Sequence, residues 1–203
     1  MADVALSRPG NLPVGPTGRR GLGSWGVGTL VASEAALFGY LLFAYFYTGA
    51  SAGRGWLLDP TPSLKLALPN TFLLLASSLT AWFGERGVLN RRRGQALLGF
   101  AATLAMGAVF ALVQWFEWQA KTYGLGASSY ASLYFVTTGF HMAHVLVGLA
   151  ALTAILVWTM LDYFSPRRHL TVSAGVLYWH FVDAVWLFVF ATYYLTPYLG
   201  FGK

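Results

Sequence analysis

Five long apolar segments, separated by short polar or charged stretches, dominate this chain of 203 residues. They cover approximately residues 25–48, 66–84, 96–116, 130–157 and 171–195. Each is about as long as the ~20 residues with which a helix crosses the ~30 Å hydrocarbon layer of a membrane. A transmembrane β-barrel would instead show alternating segments of about 10 residues, and none is present. The pattern predicts an all-α, polytopic membrane protein, a bundle of five transmembrane helices.

The composition agrees with a membrane protein and excludes several kinds of site. Hydrophobic residues make up 57% of the chain and charged residues only 10%, whereas soluble domains carry about 25% charged residues. The chain has no cysteine, which excludes disulfides, thiolate metal sites and iron–sulfur clusters. Residues 1–23 are rich in Gly and Pro and lack the apolar core of a cleavable signal peptide. We therefore expect a flexible arm over 1–23 and the transmembrane domain over 24–203.

The basic residues are distributed unequally between the two sides of the predicted bundle. Nine arginines lie in the N-terminal arm, the loop after the second helix and the loop after the fourth, against four Lys or Arg residues on the other side. The positive-inside rule therefore predicts a cytoplasmic N-terminus and an external C-terminus. Basic groups beside a membrane also attract anionic lipids, and a nucleic-acid partner is not expected. The lipid head-group candidates are Arg91, Arg92, Arg93, Arg167, Arg168 and His169.

Five ionisable residues fall inside the predicted helices: Glu34, His141, His144, His180 and Asp183. A charged side chain at membrane depth costs at least about 2.5–3.5 kcal/mol, so each needs a partner or a purpose. At 1.5 Å per residue their depths are similar, and they could share one layer near the midplane. If these residues form a structural network, we expect Asp183 to accept a hydrogen bond from His180 or His144.

Three interpretations of this polar layer remain open from the residues alone. A structural network would hold the first, fourth and fifth helices together. A proton-handling role is the second, because buried acids and histidines exchange protons near neutral pH. A metal or haem site is the third. A b-type haem, however, needs histidines on facing helices, and only His180 is available to partner His141 or His144.

A few other residues carry weaker expectations. Glu117, at the outer end of the third helix, is either a solvated surface acid or a functional one. Asn70 follows Pro69 near the start of the second helix, where a capping or first-turn role is the default. Gly139 and Gly148 should let the fourth helix approach a neighbour closely.

Five motifs, taken in order along the chain, resemble the helix signatures of cytochrome c oxidase subunit III. The two most specific are TGFHMAH, from Thr138, and YWHFVDAVWLF, from Tyr178. The others are SEAALFG from Ser33, LPNT from Leu68 followed by LLLAS from Leu73, and QWFE from Gln114. The resemblance extends from about residue 24 to residue 198.

The resemblance implies a non-catalytic subunit of a proton-pumping terminal oxidase that reduces O₂ to water. Subunit III of this family carries no haem, copper or catalytic residue; it packs against subunit I, binds phospholipid, and supports proton uptake and durability in turnover. Subunit II is a further partner, with subunit IV and a respiratory supercomplex as additional candidates. Glu34 matches the family's membrane-embedded glutamate, and His141, His144, His180 and Asp183 match its signature polar residues. This favours structural and proton-related roles for them over a metal site.

The chain departs from the family pattern in two places. Longer members have seven helices, and this chain resembles the short form without the first two. The lipid cleft of the longer members involves those two helices, so the resemblance gives only weak support for lipid-binding residues in this chain. Many members also have an acidic residue just before the last helix, where this chain has Ser173. The resemblance therefore gives no support here for a function that depends on that carboxylate.

Other functions predict different properties. Subunit III of a quinol oxidase and the accessory subunit of a nitric oxide reductase share the five-helix signature. An autonomous carrier or channel would act when reconstituted alone, and a b-type cytochrome would show a Soret band. A five-helix form with a basic, Gly- and Pro-rich arm indicates the bacterial plasma membrane.

Overall fold

The computed structural model of the chain describes residues 22–58, 62–166 and 168–202, so most of the predicted arm and Arg167 lie outside the described residues. Within these ranges there are five long helices, all apolar enough to cross a membrane, which confirms the prediction. They are α1 (Leu22–Ala52), α2 (Leu64–Leu89), α3 (Arg93–Gln119), α4 (Ser129–Met160) and α5 (Leu170–Phe190), which continues into a π-helical turn, Ala191–Leu195.

The helices are longer than the apolar segments that predicted them. Each begins one to three residues earlier, and α1 to α4 end three to five residues later. Apolar length reports the thickness of hydrocarbon, whereas helical hydrogen bonding continues into the interfacial region until a cap or turn stops it. Ser63 and Ser128 cap α2 and α4, each accepting a backbone N–H with its side-chain oxygen.

The early start of α2 contradicts the capping role expected for Asn70. Because the helix begins at Leu64, Pro69 and Asn70 lie inside it. The buried Asn70 donates from Nδ2 to the carbonyl oxygen of Phe110 on α3, at 3.3 Å. Asn70 therefore links two helices and caps neither of them.

Helices α2, α3, α4 and α5 form a closed ring of neighbours, and α1 packs on its outside against α4 and α5. Large side chains fill the ring, including Trp179 and Trp186 from α5, Phe110 from α3 and Leu152 from α4, all essentially inaccessible. Helix α1 is largely exposed in the isolated chain. The ring is thus the core of the domain, and α5 is the helix that touches α1, α2 and α4.

The loops after α2 and α4, both of which contain arginines, lie at the same end of the bundle. The α2–α3 loop holds Arg91 and Arg92, and the α4–α5 loop holds Arg168. We refer to this side as the arginine end, and to the side of the α1–α2 and α3–α4 loops as the opposite end. At this end, Arg93 at the start of α3 donates to the carbonyl oxygen of Met160 at the end of α4.

Candidate functional site

Glu34 and His144 form a pair between α1 and α4 at membrane depth. His144 Nε2 lies 3.0 Å from Glu34 Oε2, and the two side chains are 14% and 26% exposed respectively. His144 Nδ1 lies 2.7 Å from the carbonyl oxygen of Phe140, an atom that only accepts, so Nδ1 carries a hydrogen. The Nε2–Oε2 contact then requires one further proton, held by either His144 or Glu34. The pair is a neutral unit with one exchangeable proton.

A second polar cluster lies between α2 and α5. Ser78 donates from its hydroxyl to Asp183 Oδ2, and His180 Nδ1 lies 2.9 Å from Ser78 Oγ. Since the one hydroxyl hydrogen of Ser78 goes to Asp183, His180 Nδ1 is the donor of the other contact. Asp183 is only 4% exposed, and its Oδ1 has no hydrogen-bond partner. The expected direct contact of Asp183 with His180 or His144 is wrong, because Ser78 lies between Asp183 and His180.

His141 joins neither cluster. Its Nε2 lies 3.3 Å from the carbonyl oxygen of Val182 on α5, and its ring packs among Phe38, Phe110 and Trp186. The side chain is fully enclosed, and Nδ1 has no partner. His141 therefore links α4 to α5 as an uncharged ring, and the five ionisable residues occupy three separate places.

Glu117, at the opposite end of the bundle, is buried and not a solvated surface acid. Tyr194 donates to its Oε2 at 2.9 Å, Tyr134 donates to its Oε1 at 3.4 Å, and Lys121 Nζ lies 3.4 Å from Oε1. The Lys121 side chain is only 6% exposed and also lies over the ring of Tyr134. Burial lowers the pKa of Lys121 from 10.5, and the negative charge of Glu117 opposes that shift.

The proposed lipid-binding residues that the structure describes lie at the arginine end of the bundle. Arg91, Arg92 and Arg93 are exposed, and Arg91 has a positive φ of 56° in the turn between α2 and α3. Arg168 and His169 are half-buried, and His169 Nδ1 lies 2.8 Å from the carbonyl oxygen of Pro166.

No three His, Asp or Glu side chains in the described ranges converge in a way that could bind a metal ion. The two histidine-containing clusters hold one histidine each. In each cluster the histidine contacts a carboxyl or hydroxyl group, and in the described ranges no third His, Asp or Glu side chain joins it.

Sequence reasoning missed several residues of these clusters. Ser78 was unremarkable in an apolar segment, yet it bridges His180 and Asp183. Tyr194 lies near the end of the fifth apolar segment, and the π-helical turn directs its side chain inward to Glu117. Glu85 lies just beyond the second apolar segment, and it accepts a hydrogen bond of 2.6 Å from Ser173. In the sequence, each of these residues is marked only as a polar residue near a helix that contains another polar residue.

Comparison with known proteins agrees with these features. The family model for cytochrome c oxidase subunit III matches residues 15–198. The chain is 38% identical over 179 residues to the probable cytochrome c oxidase subunit 3 of Nocardia farcinica, covering 83% of this chain and 86% of that one. It is 33% identical over 177 residues to cytochrome c oxidase subunit 3 of Locusta migratoria, covering 84% and 67%.

A vertebrate relative gives a similar result. Cytochrome c oxidase subunit 3 of Gallus gallus is 32% identical over 186 residues, which cover 88% of this chain and 71% of that protein. The matched region contains all five helices, the Glu34–His144 pair, the cluster around Asp183, and Glu117 with its partners. The chain belongs to the cytochrome c oxidase subunit III family, as its helix motifs implied.

Proposed function

We propose that this subunit III of a haem–copper oxidase stabilises the catalytic subunit I and supports proton uptake by the complex from the cytoplasm. The observation that carries this proposal is the Glu34–His144 pair, which holds one exchangeable proton at membrane depth. A pair that served only to join helices would need no titratable group, since amides and hydroxyls form the same contacts at lower cost.

The proposed setting is the plasma membrane of a bacterium, with the arginine end of the bundle in the cytoplasm. Arginine-rich loops are retained on that side, and the cytoplasmic leaflet carries anionic lipids. We assign phospholipid head groups to the exposed residues Arg91, Arg92 and Arg93, together with Arg168 and His169. Arg167, the remaining candidate, lies outside the described residues.

Haem and copper belong, on this proposal, to the partner subunits I and II. Subunit I is the direct neighbour, and subunit IV and a respiratory supercomplex are further candidates. The relatives carry the name cytochrome c oxidase, which favours this enzyme over a quinol oxidase or a nitric oxide reductase.

Purification through a tag on this chain tests the proposed partners. A reduced-minus-oxidised visible spectrum and mass spectrometry of the purified material are the measurements. An a-type haem band, with a large multi-helix subunit and a copper-binding subunit, is the expected result. Haems b and o without a copper-binding subunit would indicate a quinol oxidase. A colourless chain that purifies alone from oxidase-containing membranes would contradict the proposal.

Glu34→Gln tests the proton-related part. The amide can still donate to His144 Nε2, so the complex should assemble with a normal haem spectrum. It cannot hold the exchangeable proton, and we expect a several-fold fall in the number of turnovers before inactivation, or a lower ratio of protons pumped per electron. Ser33→Ala, which removes an exposed hydroxyl bonded within α1, is the matched control. Unchanged lifetime and pumping in Glu34→Gln would leave the pair a structural role only.

A further inference from the structure

We propose that Glu85 is the carboxylate through which protons from the arginine end reach Asp183, along a line of side chains between α2 and α5. The inference rests on the proposed function and deepens it, because it assigns a route to the buried acid. Glu85 is not one of the five ionisable residues that the sequence placed inside the helices. Three observations support the route: the surroundings of Glu85, the register of α2 against α5, and the unpaired oxygen of Asp183.

Among the described residues Glu85 has no ion-pair partner, although it lies at the arginine end of the bundle. Arg86 follows Glu85 directly and stacks on Trp82. Residues 91–93 are three further arginines. In the described ranges, however, the only ion pairs are Glu117–Lys121 and Glu34–His144. Glu85 instead turns to α5, where it accepts a hydrogen bond of 2.6 Å from Ser173 Oγ. The half-buried Glu85 carboxylate is thus linked to α5 through a hydroxyl group.

The register of the two antiparallel helices aligns Glu85 with the deeper cluster. Glu85 contacts Ser173, and Ser78 contacts His180, so the two contacts are seven residues apart on both helices. Seven residues are two turns, or about 10 Å of rise, on the same helix face. Helical side chains lean toward the N-terminus of their own helix, so Glu85 leans inward and His180 leans toward Glu85.

The deep end of the line is built to accept a proton. A proton that reaches His180 Nε2 releases the one on Nδ1 to Ser78 Oγ, and Ser78 passes its own hydroxyl proton to Asp183 Oδ2. One proton enters at Glu85, one carboxylate is neutralised, and Ser78 and His180 stay uncharged. Asp183 Oδ1 has no partner in its buried surroundings, so the anionic form of Asp183 is poorly compensated there.

Other titratable groups that face α5 have partners of their own. His144 on α4 is paired with Glu34 on α1, and His141 contacts the carbonyl oxygen of Val182. Glu117 on α3 meets the π-helical turn at the far end of the bundle. Glu85 is therefore the acid on the α2 side of the line that the arginine end can supply.

Infrared spectroscopy of the purified, intact oxidase tests the route without relying on turnover. The protonated carboxyl band that disappears in Asp183→Asn identifies Asp183, and mixing with D₂O follows its exchange. We expect Glu85→Gln and Glu85→Ser to slow this exchange about tenfold or more. Because Ser173 is adjacent, Glu85→Ser combined with Ser173→Glu returns the carboxylate to the same place from the other helix and should restore the exchange rate.

The control is Asp162→Asn, which removes an exposed carboxylate at the same end of the bundle, where Asn tolerates the positive φ of 61°. It should leave the exchange rate unchanged. Exchange as fast in Glu85→Gln as in the wild type would overturn the proposal. So would the absence of any Asp183-dependent band between about pH 5 and pH 9. Glu34→Gln reports on a different pair through turnover lifetime, so either result can fail while the other holds.

Discussion

Gly99→Ala should prevent α2 and α3 from packing and remove most of the assembled oxidase from the membrane. A Cβ atom at residue 99 would lie 2.5 Å from both Cα and N of Gly84 and 2.8 Å from the carbonyl oxygen of Thr80. These are backbone atoms of α2, so no side-chain rotation relieves the clash. Overpacking commonly costs about 1–3 kcal/mol, and contact with rigid backbone places this change at or above the upper end.

The same close approach recurs along the α2–α3 interface. A Cβ on Gly87 would lie 2.4 Å from the backbone nitrogen of Ala96. Thr80 and Thr103 add a hydroxyl contact of 2.8 Å between the two helices. Small residues that let backbones meet drive helix association in membranes, where burial of apolar surface provides little force. The α2–α3 pair thus depends on glycine more than on hydrophobic side chains.

Gly39→Ala is the matched control, because nothing lies within 4 Å of a Cβ on this glycine of α1. Alanine favours a helix over glycine by about 1 kcal/mol, so the control should be neutral or slightly stabilising. The measurements are the amount of haem-containing complex in membranes and the temperature at which the solubilised complex releases this chain. Wild-type values for Gly99→Ala would show that α2 and α3 can separate without consequence.

The number of helices was predictable because it depends on the length of each apolar segment, which can be read along the chain without knowing the fold. An apolar segment of sufficient length crosses the membrane whatever its neighbours are. The approximate depth of Glu34 and His144 followed from helical rise, and the two residues do meet. The π-helical turn at Ala191–Leu195 could not be predicted in this way, because no residue pattern in that segment distinguishes it from an α-helix.

The partners within each cluster were not predictable from depth alone. Depth leaves open the rotation of each helix and the choice of its neighbour. Ser78 therefore separates Asp183 from His180, although all three have similar depth. Glycines show the same limit: Gly148 does contact Trp179, as expected, whereas nothing lies within 4 Å of a Cβ on Gly139. Composition identifies residues able to make close contacts but not the helix face on which a neighbour lies.

Glu117→Leu should strongly destabilise the opposite end of the bundle, because it leaves the ammonium group of Lys121 buried without its counter-ion. The lysine side chain is 6% exposed, so water cannot replace the lost carboxylate. Breaking a buried ion pair from one side typically costs about 3–5 kcal/mol. Tyr194 also loses its acceptor at 2.9 Å. The measurement is the thermal stability of this chain within the purified complex.

The double variant Glu117→Leu with Lys121→Met distinguishes a stranded charge from lost packing. If the buried ammonium is the cause, removing it should recover about half of the loss or more, since apolar replacements of both partners are often neutral. Lys65→Met, at an exposed lysine of the same end, should change stability by no more than about 0.5 kcal/mol. A double variant as unstable as Glu117→Leu would instead assign the loss to the tyrosine contacts.

The defect of Glu117→Leu should also shrink as the pH rises. Burial lowers the pKa of Lys121 from 10.5, and removing Glu117 takes away the interaction that opposes the shift. Between its folded pKa and 10.5, the lysine binds more protons in the unfolded chain than in the folded one, so the stability of the fold increases with pH in that window. Burial raises the pKa of Tyr123 in the same loop, and the charge of Glu117 adds to that shift. Removing Glu117 therefore reduces the loss of stability that Tyr123 causes above pH 10.0, which changes the difference between wild type and variant in the same direction. A difference in stability that stays constant as the pH approaches 10.5 would mean that Lys121 escapes to solvent when Glu117 is lost.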